Sequence, residues 1–238
     1  MPIPQEVIPR RKLYEELVSR IEGRIQRAEY RPGDQLPSER ELMETYGVGR
    51  TSVREALFAL QKMGLVTISG GARARVRAPT AQSLISELSG VARHLLSQPG
   101  GIEHFQQARM LMEVALARHA AEHATKGQLA KLASALERNR SAIGNEKEFE
   151  RSDVAFHYVL AEIPQNPIFT ALHEAIAQWL LEQRETSIRA RGSAQAACRA
   201  HERIYAAIAA RDPDLAEKRM REHLTQVQRY YWQVRRST

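Results

Sequence analysis

Two sets of residues in this chain have types and spacings that could do chemistry: one of arginines, one of histidines with a carboxylate. Arg50 and Arg54 stand four residues apart, so a helix carries both guanidinium groups on one face. Arginine is the favoured bidentate partner of guanine, and a recognition helix reads the major groove with its N-terminal residues. Thr51 and Ser52 add short hydroxyls suited to phosphate oxygens. In the second half Asp153 and His157 are also spaced i, i+4, and His201 and His223 fall on two later helical segments, 193–210 and 214–231. One carboxylate and three imidazoles meeting inside a helical bundle would hold a first-row divalent metal. His119 and His123 form a rival pair, and spacing alone does not rank one pair above the other.

The elements that must position the arginines are legible from punctuation. Leu13, Leu17, Ile21 and Ile25 recur every four residues, which predicts a helix over 12–27 with one apolar face. Pro32-Gly33-Asp34 breaks the chain. Ser38 precedes Glu41 by a capping-box spacing, predicting a helix over 39–46 that Gly47 ends. Gly49 can cap a second helix over 50–63, closed by Gly64. Two short helices joined by a tight glycine turn fit a helix-turn-helix. Leu65-Val66-Thr67-Ile68 is β-prone and Gly70-Gly71 is a hairpin signal. Beyond it Ala72, Ala74 and Val76 alternate with Arg73, Arg75 and Arg77, a strand with one cationic face that reads as a wing. Residues 45–78 hold six cations against one acid, Glu55.

After residue 79 the pattern is almost wholly helical and rich in Ala and Leu, with no fixed-period repeat. The expected architecture is mainly α. A winged helix-turn-helix spans 1–78 and an all-α antiparallel bundle spans 79–238. With 43% hydrophobic residues the chain can bury a sizeable core. The net charge of +7 favours a polyanionic partner without proving one. A single cysteine, Cys198, excludes an internal disulfide framework and suits a reducing compartment. Residues 1–12 lack the apolar core of a signal peptide, and no apolar run reaches the ~20 residues of a membrane span. These features predict a cytoplasmic protein that does not enter a membrane.

The run Gly33-Asp34-Gln35-Leu36-Pro37-Ser38-Glu39-Arg40-Glu41-Leu42, followed by Val48-Gly49-Arg50-Thr51-Ser52-Val53-Arg54-Glu55-Ala56-Leu57, resembles the GntR superfamily of bacterial regulators. The resemblance implies operator contacts by Arg40 as well as Arg50 and Arg54, and by the wing at Gly70, Gly71, Arg73 and Arg75. Gly49 stands where the family often has Ser or Thr, so a hydroxyl contact is lost there. Ser152-Asp153-Val154-Ala155-Phe156-His157, Asn166-Pro167, His201 and His223-Leu224 resemble the FCD-type ligand domain of the FadR branch. That likeness ranks Asp153, His157, His201 and His223 above the rival pair. It implies one divalent transition metal per chain, zinc first and nickel or manganese as alternatives, with a small carboxylate bound beside it. Arg109, four residues before Glu113, matches an arginine of the family. Its fork suits a ligand carboxylate, and a structural ion pair with Glu113 is the competing role. Asn166 either touches the ligand or caps the helix at Pro167.

A narrower likeness lies in Glu87-Leu88-Ser89-Gly90, Pro99-Gly100-Gly101-Ile102, Ala121-Glu122-His123-Ala124-Thr125 and the run from Ala161 to Phe169. It points to a sialic-acid-responsive branch of the family and implies N-acetylneuraminate as effector, although residues 183–197 depart from that branch. The expectation is a homodimeric regulator, a repressor by family default, on a palindromic or repeated double-stranded operator. A sugar acid or other small carboxylate would control it. The competing class is a metal-dependent hydrolase or decarboxylase, with Glu162 or Glu174 as base by proximity in sequence alone. A helical adaptor tethered to DNA, the third reading, would contain no buried metal cluster.

Overall fold

The computed structural model describes residues 13–69, 72–78 and 80–237. Two compact units divide the chain, Met1–Leu84 and Ile85–Thr238; composition alone puts the break at residue 79.

In the first unit α1 (Leu13–Gln26) buries Leu17 and Ile21, two of the residues at fourfold spacing, while Leu13 stays exposed. Helix α2 (Glu39–Tyr46) begins at a complete capping box. The Ser38 hydroxyl accepts from the Glu41 amide at 3.2 Å, and the Ser38 amide donates to the Glu41 carboxylate at 2.6 Å. Gly47 ends it with φ 63°, a conformation that costs glycine nothing and other residues strain. Helix α3 (Arg50–Lys62) starts at Gly49, whose extended backbone supplies the cap geometry without a side-chain bond. Val53, Ala56, Leu57 and Leu60 on α3 pack with Leu17, Ile21, Leu36 and Leu42 into one core. Each fully buried aliphatic side chain of this kind contributes about 1.5–3 kcal/mol relative to exposure.

The wing is the antiparallel pair β1 (Val66–Thr67) and β2 (Arg75–Val76), in register Val66 to Val76 and Thr67 to Arg75. Residues 33–36 add a third backbone layer that the sequence does not reveal. The amides of Gly33 and Leu36 donate to the carbonyls of Val76 and Ala74, and Gln35 bridges Arg75. Alternation runs as expected from Arg73 onward, with Ala74 and Val76 buried and Arg73, Arg75 and Arg77 exposed. Ala72, expected on the buried side, is exposed. Its amide closes a turn onto the Ser69 carbonyl, so it precedes the ladder. Gly70 and Gly71 lie outside the described residues.

Helix α4 (Ala81–Glu87) spans the division between units. The second unit then runs α5 (Ser89–Leu96), α6 (Gly101–His123), α7 (Lys126–Ser141), α8 (Glu146–Glu162), α9 (Pro167–Trp179), α10 (Leu181–Ile188), α11 (Ser193–Ala209) and α12 (Pro213–Ser237). Helix α12 packs along α6 and α11, while α7 and α9 flank α8. Its core is Ala-rich on α6 (Ala117, Ala120, Ala121) and bulkier on α8 and α12 (Phe156, Leu160, Met220, Leu224). Small residues let the helices approach closely. That close approach brings polar side chains on α8, α11 and α12 to one point.

Candidate nucleic-acid interface and metal centre

The arginines singled out by spacing are exposed, and most have an exposed partner. Arg54 Nε donates to both Glu39 carboxylate oxygens at 3.1 Å. Arg40 Nε meets Glu44 at 2.9 Å, and Arg73 lies 3.6 Å from Glu41. Arg75 donates to the Gly33 carbonyl, which pins the wing to the third backbone layer. Arg50, Thr51 and Ser52 stand in the first turn of α3, with Arg50 and Thr51 exposed. Ion pairs in water contribute about 0–1 kcal/mol each, so these guanidinium groups can exchange a carboxylate for a phosphate at little cost. The unit thus presents α3 and the wing as a cationic surface with rigid backbone support.

The second cluster is the opposite in character. Asp153 and His157 on α8, His201 on α11 and His223 on α12 are all buried, and one ligand atom of each lies within 4.8 Å of the others. His201 Nε2 is 3.2 Å from His223 Nε2, which is 3.3 Å from His157 Nε2. Asp153 Oδ1 lies 3.5 Å from His201 Nε2. Helical register explains the convergence. On α11 His201 continues the buried stripe of Ile204 and Ile208, and on α12 His223 stands beside buried Met220 and Leu224.

Each far ring nitrogen identifies the tautomer. His201 Nδ1 is 2.9 Å from Asn139 Oδ1, an acceptor if the amide is turned as its Nδ2 donation to Ser152 requires. His157 Nδ1 lies 2.5 Å from Glu113 Oε2, and among the described residues neither atom has another partner. A carboxylate that close demands a proton on Nδ1. His201, neutral and protonated on Nδ1, therefore turns an unprotonated Nε2 lone pair toward Asp153 and His223, and His157 presents its Nε2 to the same point. Burial presses His201 down to about 3 and His223 well below its usual value, so both rings stay neutral. Burial alone would raise the Asp153 carboxyl, but the facing His201 and His157 rings and Arg184 hold it below its usual value. Converging imidazole nitrogens and an anionic carboxylate are the donor set a borderline divalent metal takes. Outer partners that fix ring tautomers are the usual companions of such a set.

Arg109 fills the role of ion-pair partner: its Nε donates to Glu113 at 2.7 Å with both groups buried. It also lines a narrow cleft of about 30 Å³ together with Asp153, Arg184 and His223. Asn166 is exposed, caps α9 by accepting from the Ile168 amide at 3.0 Å, and does not line that cleft. His119 and His123 stand with ring centroids 4.5 Å apart beside Glu122 on the partly exposed end of α6. Glu162 is held by Lys131 at 2.6 Å, and neither it nor Glu174 lines the cleft.

Comparison with known proteins decides the family. A model described as bacterial regulatory proteins, gntR family, matches residues 13–76, and the FCD domain matches 104–226. The HTH-type transcriptional repressor NanR of Salmonella newport is 49% identical over 92% of this chain and 85% of its own length. The NanR repressor of Escherichia coli K12 is 49% identical over 92% of this chain and 84% of its own. The chain belongs to the GntR family, with an FCD domain. It is a ligand-responsive transcriptional regulator, and its curated relatives are repressors rather than enzymes. Among solved structures Streptococcus agalactiae GntR superposes with a TM-score of 0.64 at 24% identity, covering 91% of this chain and 99% of that one. E. coli McbR/YncC follows at 0.52 and 18%, covering 94% and 98%. Those two likenesses speak for the fold. No helix among the described residues is long and apolar enough to cross a membrane.

The sequence reading missed three supporting residues, Asn139, Arg184 and His173, and gave Glu113 only as a partner of Arg109, not of His157. Asn139 and Glu113 carried a signal, because each is a polar residue at a buried register of its helix: Asn139 beside Leu132, Ala135 and Leu136, Glu113 beside Val114 and Ala117. Arg184 and His173 carried none. Helix α10 has no clear apolar stripe, and a histidine on a mostly apolar helix announces no partner.

Proposed function

We propose that Arg40, Arg50, Thr51, Ser52 and Arg54, with the wing from Gly70 and Gly71 to Arg73 and Arg75, bind a palindromic or repeated operator as part of a homodimer in the cytoplasm. In the second unit Asp153, His157, His201 and His223 hold one divalent transition metal, zinc ahead of nickel or manganese. A small carboxylate or sugar acid, with N-acetylneuraminate the first to test, binds in the adjoining cleft. When bound, the metal supplies a Lewis-acidic anchor for a ligand oxygen. This chain's residues do the rest: Glu113 and Asn139 hold the imidazoles in their tautomers, and the buried arginines supply positive charge. Ligand binding shifts the population toward an arrangement of lower operator affinity, so repression is relieved. The observation that carries the reading is the convergence of three imidazole nitrogens and one carboxylate beside a cleft with two buried arginines.

Operator binding by electrophoretic shift with the chain's own upstream DNA tests the first half. Each bidentate arginine contact is worth about 1–3 kcal/mol of discrimination, so Arg50→Ala with Arg54→Ala should weaken binding about a hundredfold or more. Undiminished binding would sink the interface. Elemental analysis of protein never exposed to chelator should find about one transition-metal ion per chain, lost in His157→Ala with His201→Ala. Protein that carries no metal and takes up none contradicts the centre.

A further inference from the structure

Two buried arginines face the cleft, and their partners differ. Arg109 has its Nε committed to Glu113 at 2.7 Å. Arg184, on α10, is 3% exposed, and its Nη1 donates to the Ala177 carbonyl at 3.1 Å. Among the described residues its Nε has no acceptor: Asp153 Oδ2 is 3.6 Å away, beyond hydrogen-bond reach, and no other atom takes the proton. A buried guanidinium with an unsatisfied donor is costly, and such groups persist where a ligand or a second charge completes them. The nearest acid, Asp153, is also the carboxylate of the metal donor set. A cation bound there would draw on the same negative charge and leave Arg184 further undercompensated.

The geometry points to Arg184, rather than Arg109, as the residue that receives the effector's carboxylate. This rests on the effector reading above and adds the residue and the ligand group it recognises. A carboxylate in the cleft supplies the missing acceptor at Nε and replaces the charge that Asp153 shares with the metal. The lining also holds Ser187, Ser193, Gln226 and Tyr230, beside the apolar Phe149, Ile188 and Val227. The Ser193 hydroxyl donates to the Ile188 carbonyl, which leaves its oxygen to accept, while Ser187 donates to the Gln183 carbonyl and already accepts from the Gln183 side-chain amide at 3.4 Å. Arg109 then acts through Glu113, holding the acid that fixes the His157 ring, and is a positioning residue.

The test is calorimetric titration of metal-loaded protein with N-acetylneuraminate and with its methyl ester, which keeps the hydroxyls and removes the charge. Wild type should prefer the acid, and Arg184→Gln should bind it about 30-fold more weakly and lose the preference for acid over ester. Arg184→Lys, which keeps the charge without the fork, should fall between them and serves if the glutamine variant does not fold. A merely structural Arg184 would weaken acid and ester alike. Either that result, or acid binding within about threefold of wild type in Arg184→Gln, or a wild type indifferent to esterification, overturns the assignment while the effector reading stands. Wild type that binds neither compound, nor any sugar acid of a wider panel, ends both.

Discussion

The two units use arginine in contrary ways. On α2, α3 and the wing, Arg40, Arg54 and Arg73 are solvent-exposed and paired with glutamates that water already solvates. In the helical bundle Arg109 and Arg184 are buried within reach of Glu113 and Asp153. The exposed pairs can exchange partners freely, as a surface that must meet a polyanion requires. The buried pairs cannot, because each charge depends on its neighbour for solvation. The exposed arginines stand where counter-charges exchange with water, and the buried ones stand where they cannot.

Breaking the buried side should have the largest effect on folding. Glu113→Gln leaves Arg109 and the His157 Nδ1 proton without their carboxylate, and removal of one partner of a buried pair costs about 3–5 kcal/mol. Urea unfolding of metal-free protein measures it, and a loss below about 1 kcal/mol would show the pair to be solvated after all.

Acid should produce the next largest effect. Burial lowers His173 to about 4 and His201 to about 3, so the folded chain keeps both rings neutral while the unfolded chain protonates them near 6.5. Groups with a depressed folded pKa contribute stability that is present above the unfolded value and lost as pH falls toward the folded one. For His173 alone the loss between pH 7 and pH 5 is about 2 kcal/mol. Unfolding of metal-free protein across that window should show stability flat above about pH 7 and falling below about 6.5, less steeply in His173→Gln. A stability independent of pH over that range would mean these rings are not sealed from solvent.

The smallest effect belongs to the exposed side. Glu44→Ala removes the partner of Arg40 and should change unfolding free energy by less than about 0.5 kcal/mol, in contrast to Glu113→Gln. It sharpens the comparison further if it leaves operator affinity equal or higher, since Arg40 is then freer to meet phosphate.

The contrast also explains what the sequence could show. The DNA-facing unit was legible almost to the residue, because its boundaries are written in local chemistry: the Ser38/Glu41 box, Gly47 and the alternation from Arg73 to Arg77. Its third backbone layer at 33–36 was not, since that pairing joins residues forty apart. In the bundle the i, i+4 spacing of Asp153 and His157 showed a shared face, but not which distant helices complete it. Family likeness ranked the set with His201 and His223 above the rival pair, and their burial and convergence separate them from the more exposed His119 and His123. Arg184 stayed hidden because its significance lies in a hydrogen bond it does not make, which no sequence pattern records.

The central claim is that the buried site controls the exposed one. Fluorescence anisotropy of labelled operator DNA, titrated with metal-loaded and metal-free protein with and without N-acetylneuraminate or the acid selected from the panel, tests it directly. Operator affinity should fall about tenfold or more when metal and acid are both present, and be unmoved by acid in His157→Ala with His201→Ala. Isotherms that superpose for metal-loaded protein with and without an acid shown by calorimetry to bind it would contradict the account.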